Sequence, residues 1–152
     1  MYDTILVPTD GSHVAENAVD HAVELASTYD AEVHALYVVD LDAMDVAVGT
    51  EQIDRFKQGD LSDLPELEQR ARNATGYVAD RAADAGLEVI EAVVAGNPHK
   101  RIATYADDHD VDLIVMGSAG RGGVRRMLLG SVAERTLRAT DRPVLVVDVR
   151  EE

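Results

Sequence analysis

Short apolar runs that alternate with helix-forming segments are the feature that most restricts how this chain can fold. The runs, which we predict to be strands, are residues 4–7, 33–39, 87–94, 113–116 and 144–147. Between them, apolar residues recur at the spacing of one helix face. Five strands alternating with four helices imply a parallel sheet covered on both faces, with right-handed crossovers. The pattern therefore predicts an open α/β fold.

Capping and helix-breaking residues mark where the helices begin and end. The predicted starts are Ser12, Pro65, the pair Asn97-Pro98, and Ser131, and Gly86 is the predicted stop of the long second helix. The first helix is expected to run to about residue 28. The residues predicted to face inward are Val14, Ala18, Ala22, Leu25 and Ala26, then Ala71, Ala74, Val78, Ala82 and Ala85, then Ile102, Ala103 and Ala106.

Segment 40–64 is the irregular part of the chain. It is polar and acidic, contains Gly49 and Gly59, and is too long for an ordinary connection. A mobile flap beside a ligand and a disordered surface loop both fit its composition. We find no internal repeat and no linker, so residues 1–152 are predicted to form a single domain with a flexible insert at about 40–64.

Charge restricts the possible partners. The chain has 29 acids against 14 bases, a net charge of −15, and only two lysines, Lys57 and Lys100. Such a surface repels nucleic acids and anionic membranes, so neither is expected as a partner. An ordinary acidic bacterial protein has this balance. The lysine-poor, aspartate-rich composition also resembles the proteins of extreme halophiles.

The location follows from features that the chain lacks. No apolar run approaches the roughly 20 residues that a membrane-spanning helix needs. The first residues, Met1 to Thr4, lack the basic region and cleavage site of a signal peptide. There is no cysteine, and hence no disulfide framework. We therefore expect a cytoplasmic protein.

The segment between the fourth strand and the last helix, residues 117–131, carries the strongest chemical signal. It holds five glycines, among them Gly117, Gly120 and Gly130, so its backbone can turn sharply and approach a ligand. Successive backbone N–H groups and the start of the last helix favour anions. No acid occurs in residues 113–133, whereas Arg121, Arg125 and Arg126 do. A polyphosphate site is the functional interpretation.

Other readings of the same residues stay open. Glycine loops also serve as plain turns. Ser131-Val132-Ala133-Glu134 has the form of a capping box, which would explain Ser131 without any ligand. The loop is not a Walker A loop, because it has no glycine-lysine-serine/threonine ending.

The spacing of the loop resembles that of a known family. Gly117-x₂-Gly120-x₉-Gly130-Ser131 is similar to the ATP-binding motif of universal stress proteins, glycine-x₂-glycine-x₉-glycine-serine/threonine. Further resemblances are the segments 5–12, 37–40, 96–98, 113–118 and 143–147. Together they cover nearly the whole chain except the 40–64 insert. The resemblance implies the strand order 3-2-1-4-5 and a ligand at the carboxyl edge of the sheet, where parallel sheets bind ligands.

The resemblance also implies roles for particular residues. Asp10 would sit beside adenine and ribose, and Val38 would meet adenine through its backbone. Alternatively, Asp10 is a turn acid, and the side chain of Val38 belongs to the core. The cofactor-binding set implied is Pro8, Thr9, Asp10, Val38, Gly96, Met116, Gly117, Gly120, Arg121, Gly130, Ser131 and Val132. Pro8 and Gly96 would shape the rim, the motif residues would hold ribose and phosphates, and Arg121 and Val132 would lie near the phosphates. Arg125 and Arg126 fall in the variable part of the motif and could be solvated surface.

The expected function is an ATP-binding stress or regulatory protein with little or no hydrolysis. AMP or ADP could take the place of ATP, and Mg²⁺ or Mn²⁺ would be held through the phosphates. No catalytic residue and no metal ligand is assigned, and none of the five histidines has a metal-ligand spacing or a convincing acid partner. The alternatives are a slow ATPase and a nucleotide-free dimeric module. The resemblance further predicts a homodimer through the edge strand, residues 144–148.

Overall fold

The computed structural model describes residues 1–41, 54–55, 58, 60–62, 64–118 and 129–148. Its strands are β1 (Thr4–Pro8), β2 (Glu32–Asp40), β3 (Val89–Gly96), β4 (Leu113–Gly117) and β5 (Val144–Val147). They form one parallel sheet in the order β3-β2-β1-β4-β5. The predicted fold class and strand order are confirmed. Most of the 40–64 insert lies outside the described residues.

The helices are α1 (His13–Tyr29), α2 (Pro65–Asp84), α3 (Pro98–Asp108) and α4 (Ser131–Ala139). Alternate strand residues point to opposite faces of the sheet, so each face has its own apolar core. One core packs under α1 and α2 and includes Ile5, Val33 and Val115. The other packs under α3 and α4 and includes Leu6, Leu36 and Ile114. Within the described ranges, no helix has the length and apolarity needed to cross a membrane.

The start of β3 was predicted two residues too early, because the strand begins at Val89 and not at residue 87. The reason is the end of α2. Leu87 donates its backbone N–H to Ala82 O at 2.9 Å, and Gly86 donates to Ala83 O at 2.9 Å. These bonds satisfy the last carbonyls of the helix and keep the chain in a capping turn. Gly86 is therefore the helix stop that was predicted.

The inward faces of the helices are partly different from those predicted. In α1, Ala15 and Val19 are fully covered, whereas Val14 and Leu25 are half-buried. In α2, Ala85 is exposed because it is the C-cap and already lies outside the helical face. The remaining predicted positions are buried, except Ala103, which is half-buried.

The order of the strands sets the position of the crevice. From β1 the chain builds outward to β2 and β3, and then returns to the other side of β1 with β4 and β5. Helices α1 and α4, which follow β1 and β4, pack on opposite faces of the sheet, and such a reversal places a crevice at the carboxyl ends of these strands. Residues following β1, β2, β3 and β4 meet at this edge.

Candidate functional site

The turn after β1 is fixed by its own hydrogen bonds. The strand ends at buried Pro8, and Thr9 donates its backbone N–H to Leu36 O at 2.9 Å. Asp10 is half-buried, and its Oδ1 accepts from Ser12 N at 2.9 Å. Asp10 is thus a turn residue, as one of the sequence readings held. A carboxylate has about four lone-pair positions and can accept several hydrogen bonds.

The side chain and the backbone of Val38 have different environments. Its half-buried side chain packs against the core under α3 and α4 and pairs across the sheet with Val94. The last β1–β2 pair joins Pro8 to Leu36. Backbone groups two residues apart on a strand point to the same side, so the N–H and C=O of Val38 face the β1 side just beyond that last pair. Because these two backbone groups lie past the last β1–β2 pair, they are placed to hydrogen-bond to the edge of a planar ligand.

The end of β3 carries two unusual polar groups. Gly96 pairs with Asp40, and its φ of +145° is a conformation that side-chain-bearing residues rarely adopt. Asn97 is the N-cap of α3, as predicted, but its side chain makes no capping hydrogen bond. Asn97 Oδ1 and Arg101 Nε are the buried side-chain polar atoms without a hydrogen-bond partner in the part of the chain that the structure describes.

At the end of β4, Gly117 is required by a close approach of the backbone. A Cβ on this residue would lie 2.8 Å from Val14 Cγ1 and 3.0 Å from Val14 O, in the first turn of α1. No real Cβ tolerates these distances, so glycine is needed here even without a ligand. Met116 is 5% exposed and packs in the core under α3 and α4. Only its backbone lies at the edge.

Ser118 is a positioning residue that the sequence analysis did not single out. It is 3% exposed and donates its backbone N–H to Val147 O at 2.9 Å. Its hydroxyl donates to Asp148 Oδ1 at 2.8 Å, and its carbonyl accepts from Gly130 N. Ser118 therefore joins the two ends of the glycine loop to β5. The only available signal was its place directly after β4.

The start of α4 differs from the predicted capping box. The N-cap is Gly130, with φ −70° and ψ 163°, and it contributes no side-chain hydrogen bond to the helix. Ser131 is the first helical residue and is exposed, as is Val132. The capping-box interpretation of Ser131 was wrong, because a side chain inside the first turn cannot reach back as an N-cap does. Gly130 donates its backbone N–H to Ser118 O, so α4 begins beside the carboxyl end of β4.

Electrostatics favour an anion at this helix start. The nearest acid along α4, Glu134, pairs with Arg138 at 3.0 Å. The helix dipole and the first-turn N–H groups contribute partial positive charge. Gly120 and Arg121, together with Arg125 and Arg126, lie outside the described residues. Within the described residues, no group of three or more His, Cys, Asp or Glu side chains could hold a metal ion.

A buried polar network lies away from this edge, and the sequence analysis missed it. His34 is 3% exposed; its Nε2 lies 2.6 Å from Glu32 Oε1 and its Nδ1 lies 2.7 Å from the Tyr105 hydroxyl. Burial, and then the charge of Glu32, raise the pKa of Tyr105. The ring of His109 stacks on Tyr105 at 3.8 Å between centroids. The expectation that no histidine has a close acid partner was wrong for His34.

Comparisons with known proteins agree with this geometry. The family model described as the universal stress protein family matches residues 1–148. Universal stress protein MJ0531 of Methanocaldococcus jannaschii is 38% identical over 147 residues, which cover 97% of this chain and 82% of that protein. The solved structure of MJ0577, from the same archaeon, has a TM-score of 0.79 and 32% identity, covering 100% of this chain and 99% of that one. A universal stress protein solved in complex with cAMP has a TM-score of 0.67 and 27% identity, covering 97% of each chain.

Proposed function

The chain belongs to the universal stress protein family, and from that premise we propose that it is an ATP-binding regulatory module with little or no hydrolysis. The observation that carries the proposal is the start of α4. There Gly130, which donates its backbone N–H to Ser118 O just past β4, begins the helix without a side-chain cap, and Ser131 is exposed. Bound nucleotide would change the state or the partner of the protein.

The phosphates are assigned to the β4–α4 side. Gly130 and Ser131 begin a helix whose first N–H groups suit phosphate oxygens. The Gly117-x₂-Gly120-x₉-Gly130-Ser131 motif runs through this connection, and the segment 113–133 contains no acid. Arg121 and Val132 are proposed to lie near the phosphates. Mg²⁺ or Mn²⁺ would be bound by phosphate oxygens and water.

The adenosine is assigned to the β1–β2 side. The Asp10 carboxylate, already held by Ser12, would accept hydrogen bonds from the ribose hydroxyls. The backbone of Val38 would meet the edge of adenine, and Pro8, Thr9, Gly96 and the backbone of Met116 would shape the pocket. The family neighbour solved with cAMP supports an adenine nucleotide as the ligand class.

Slow or absent hydrolysis follows from the residues of the loop. Segment 117–131 contains no lysine to bind the β- and γ-phosphates in the manner of a P-loop. It also contains no carboxylate or histidine that could act as a general base. A slow ATPase is the second candidate, and a nucleotide-free dimeric module is the third.

The decisive experiment begins with the protein as purified. Denaturing it and identifying any released nucleotide tests whether ATP, ADP or AMP occupies the site. Calorimetry with ATP and Mg²⁺ should give a dissociation constant in the micromolar range, and phosphate release should be negligible. A folded protein that gives no heat with millimolar ATP would overturn the nucleotide assignment. Steady phosphate release would favour the ATPase.

We further propose a homodimer through β5, by antiparallel pairing around residues 144–148. Strand β5 is the outer strand of the sheet, and Val144, Leu145 and Val146 remain partly exposed. Ser118 N donates to Val147 O, so the odd-numbered residues face β4 and the N–H of Val146 points outward. An open apolar edge is a surface that a second copy can cover.

Val146→Pro should therefore weaken the dimer without breaking a β4–β5 hydrogen bond. Its matched control is Leu145→Pro, which removes a bond inside the sheet and should lower the melting temperature. Light scattering at micromolar concentration in high salt is the measurement. A wild-type monomer under these conditions would contradict the proposal.

A further inference from the structure

The unpaired atoms of Asn97 and Arg101 need a physical explanation. A buried polar atom without a partner destabilises the folded state, so native structures hold few of them. Both of these lie at the carboxyl end of one strand, on the same edge as the candidate site. Their coincidence with that edge points to a ligand that supplies the missing partners.

We propose that Asn97 and Arg101 recognise the base of the bound nucleotide and select adenine over 6-oxopurines, an inference that rests on the proposed function. Asn97 offers an unpaired acceptor, Oδ1, and Arg101 offers an unpaired donor, Nε–H. Adenine presents the complementary pair on one edge, the N6 amino donor beside the N7 acceptor. Guanine and hypoxanthine carry an oxygen at position 6, which would face Asn97 Oδ1 as a second acceptor.

The position of these residues along the sheet favours the base over the phosphates. The phosphate-binding loop follows β4, and Asn97 follows β3, at the far side of β1 and β2. Three inter-strand spacings, about 14 Å, separate these two strands. A nucleotide extended along the edge from the start of α4 therefore brings its base, and not its phosphates, toward Asn97. Val38, whose backbone lies past the end of β1, is between them.

Gly96 sets the path of the Arg101 side chain. A Cβ on Gly96 would lie 3.0 Å from Arg101 Cγ and 3.1 Å from Arg101 Cδ. The aliphatic part of the arginine thus packs directly over the backbone at the end of β3. The Nε atom is held beside that backbone and does not extend into solvent. Gly96, which the sequence analysis placed at the pocket rim, allows this packing.

Binding requires a small movement, because both unpaired atoms are covered in the ligand-free chain. Asn97 and Arg101 as whole residues are only partly buried, so each side chain can rotate at the surface without unfolding α3. Rotations of this kind take picoseconds to nanoseconds. Binding would then form two hydrogen bonds, and both unpaired atoms of the protein would have a partner.

The neighbouring basic residues raise an alternative, a phosphate group in place of the base, and they also offer a control variant. His99 is half-buried and Lys100 is exposed, in the same first turn of α3. With Arg101 they form a basic cluster that could instead attract a phosphate group. A phosphate contact would depend on charge and would not distinguish one base from another.

The experiment compares ATP with ITP, which has the same ribose and phosphates but an oxygen at position 6. Calorimetry with Mg²⁺ is run on wild type, Asn97→Ala and Arg101→Lys, with Lys100→Ala as the control. Arg101→Lys keeps the positive charge and removes Nε. Inorganic tripolyphosphate is the probe for the phosphate end. Thermal melting of every variant reports whether α3 is intact.

We expect wild type to prefer ATP over ITP by about tenfold, the size of one good base contact. Asn97→Ala and Arg101→Lys should each reduce that ratio to about threefold or less, with tripolyphosphate binding unchanged. Lys100→Ala should keep the wild-type ratio.

Two results would overturn base recognition while the nucleotide assignment stands. One is a wild type that binds ATP and ITP equally. The other is an unchanged ratio in both variants, including the case where all ligands weaken together, which would assign Arg101 to phosphate. Failure of wild type to bind ATP at all would instead refute the proposed function itself.

Discussion

Helices α1 and α4 begin at the same edge of the sheet, but they differ in how their first N–H groups are capped. At α1 the Ser12 hydroxyl accepts from Ala15 N at 3.2 Å, and Ser12 N in turn donates to Asp10 Oδ1. At α4 the N-cap is Gly130, and no side chain takes that role. The N-cap side chain of α1 thus accepts a first-turn N–H, whereas the N-cap of α4 contributes no such bond.

Under the proposed function, this difference separates a helix start that stabilises the fold from one that binds phosphate. Uncapped first-turn donors cost stability unless water or a ligand satisfies them. A glycine N-cap adds no side chain of its own at the start of α4, where the first N–H groups of a helix favour an anion. The comparison therefore predicts that mutations at α4 change affinity and that mutations at α1 change stability.

The largest expected effect is at Gly130. Gly130→Val should reduce ATP affinity by at least about 100-fold, because a branched side chain would occupy the space of the phosphates. The backbone angles of Gly130 are extended and suit any residue, so the fold should persist. Calorimetry and thermal melting are measured together. The control is Gly76→Val, where the new side chain meets nothing within 4 Å of its Cβ, and there affinity should not change.

Ser131→Ala should weaken ATP binding by about 1–2 kcal/mol, the value of a hydrogen bond to a charged group. Since Ser131 is not a cap, the melting temperature should stay close to that of wild type. AMP is a useful second ligand, because it lacks the distal phosphates. A large loss of stability without a loss of affinity would contradict the phosphate-binding role of Ser131.

The opposite outcome is expected for the same substitution at α1. Ser12→Ala removes a side-chain cap and should lower the free energy of unfolding by about 1 kcal/mol. Its effect on ATP affinity should be small, because the hydroxyl is engaged with Ala15 N. Denaturant unfolding and calorimetry measure the two quantities. If Ser12→Ala reduced affinity more than Ser131→Ala does, the contrast between the two helix starts would fail.

The smallest effect concerns the acidic surface, which lies outside the acid-free segment 113–133. With a net charge of −15, the chain should gain stability between low salt and molar KCl as acid repulsion is screened. Each kcal/mol gained would raise the melting temperature by about 3 °C. A melting temperature that stayed flat or fell would contradict adaptation to high salt. ATP affinity should respond in the opposite direction, because salt screens the attraction of α4 for phosphates.

Most of the fold could be predicted from local pattern. Strands β1, β4 and β5 were located to within one residue, and all four helix starts were found. The errors occurred at the end of α2, where the hydrogen bonds of the capping turn decide the outcome. Leu87 looked like strand, but a hydrogen bond to Ala82 keeps it in a capping turn. Ala85 had the right spacing for the core, but it falls one residue past the end of α2.

The candidate site was predictable in position but not in its details. The carboxyl edge follows from a parallel sheet, and the glycine spacing indicated the connection after β4. Periodicity could not show that the Asn97 side chain does not cap α3, or that Ser118 links the glycine loop to β5. Both facts depend on which atoms the folded chain brings within hydrogen-bond distance.

By itself, the sequence determined the alternation of strands and helices, because burial periodicity and capping preferences are local properties of the chain. The strand order 3-2-1-4-5 came from the resemblance to universal stress proteins, and the structure confirms it. Only the tertiary structure decided which polar groups are satisfied internally. Gly117 illustrates the difference, since its glycine is explained by Val14 of α1, 2.8 Å from where a Cβ would stand. Tertiary packing decides whether a donor or acceptor has a partner and whether a Cβ has room. The atoms involved come from different parts of the chain, so a local sequence pattern does not reveal them.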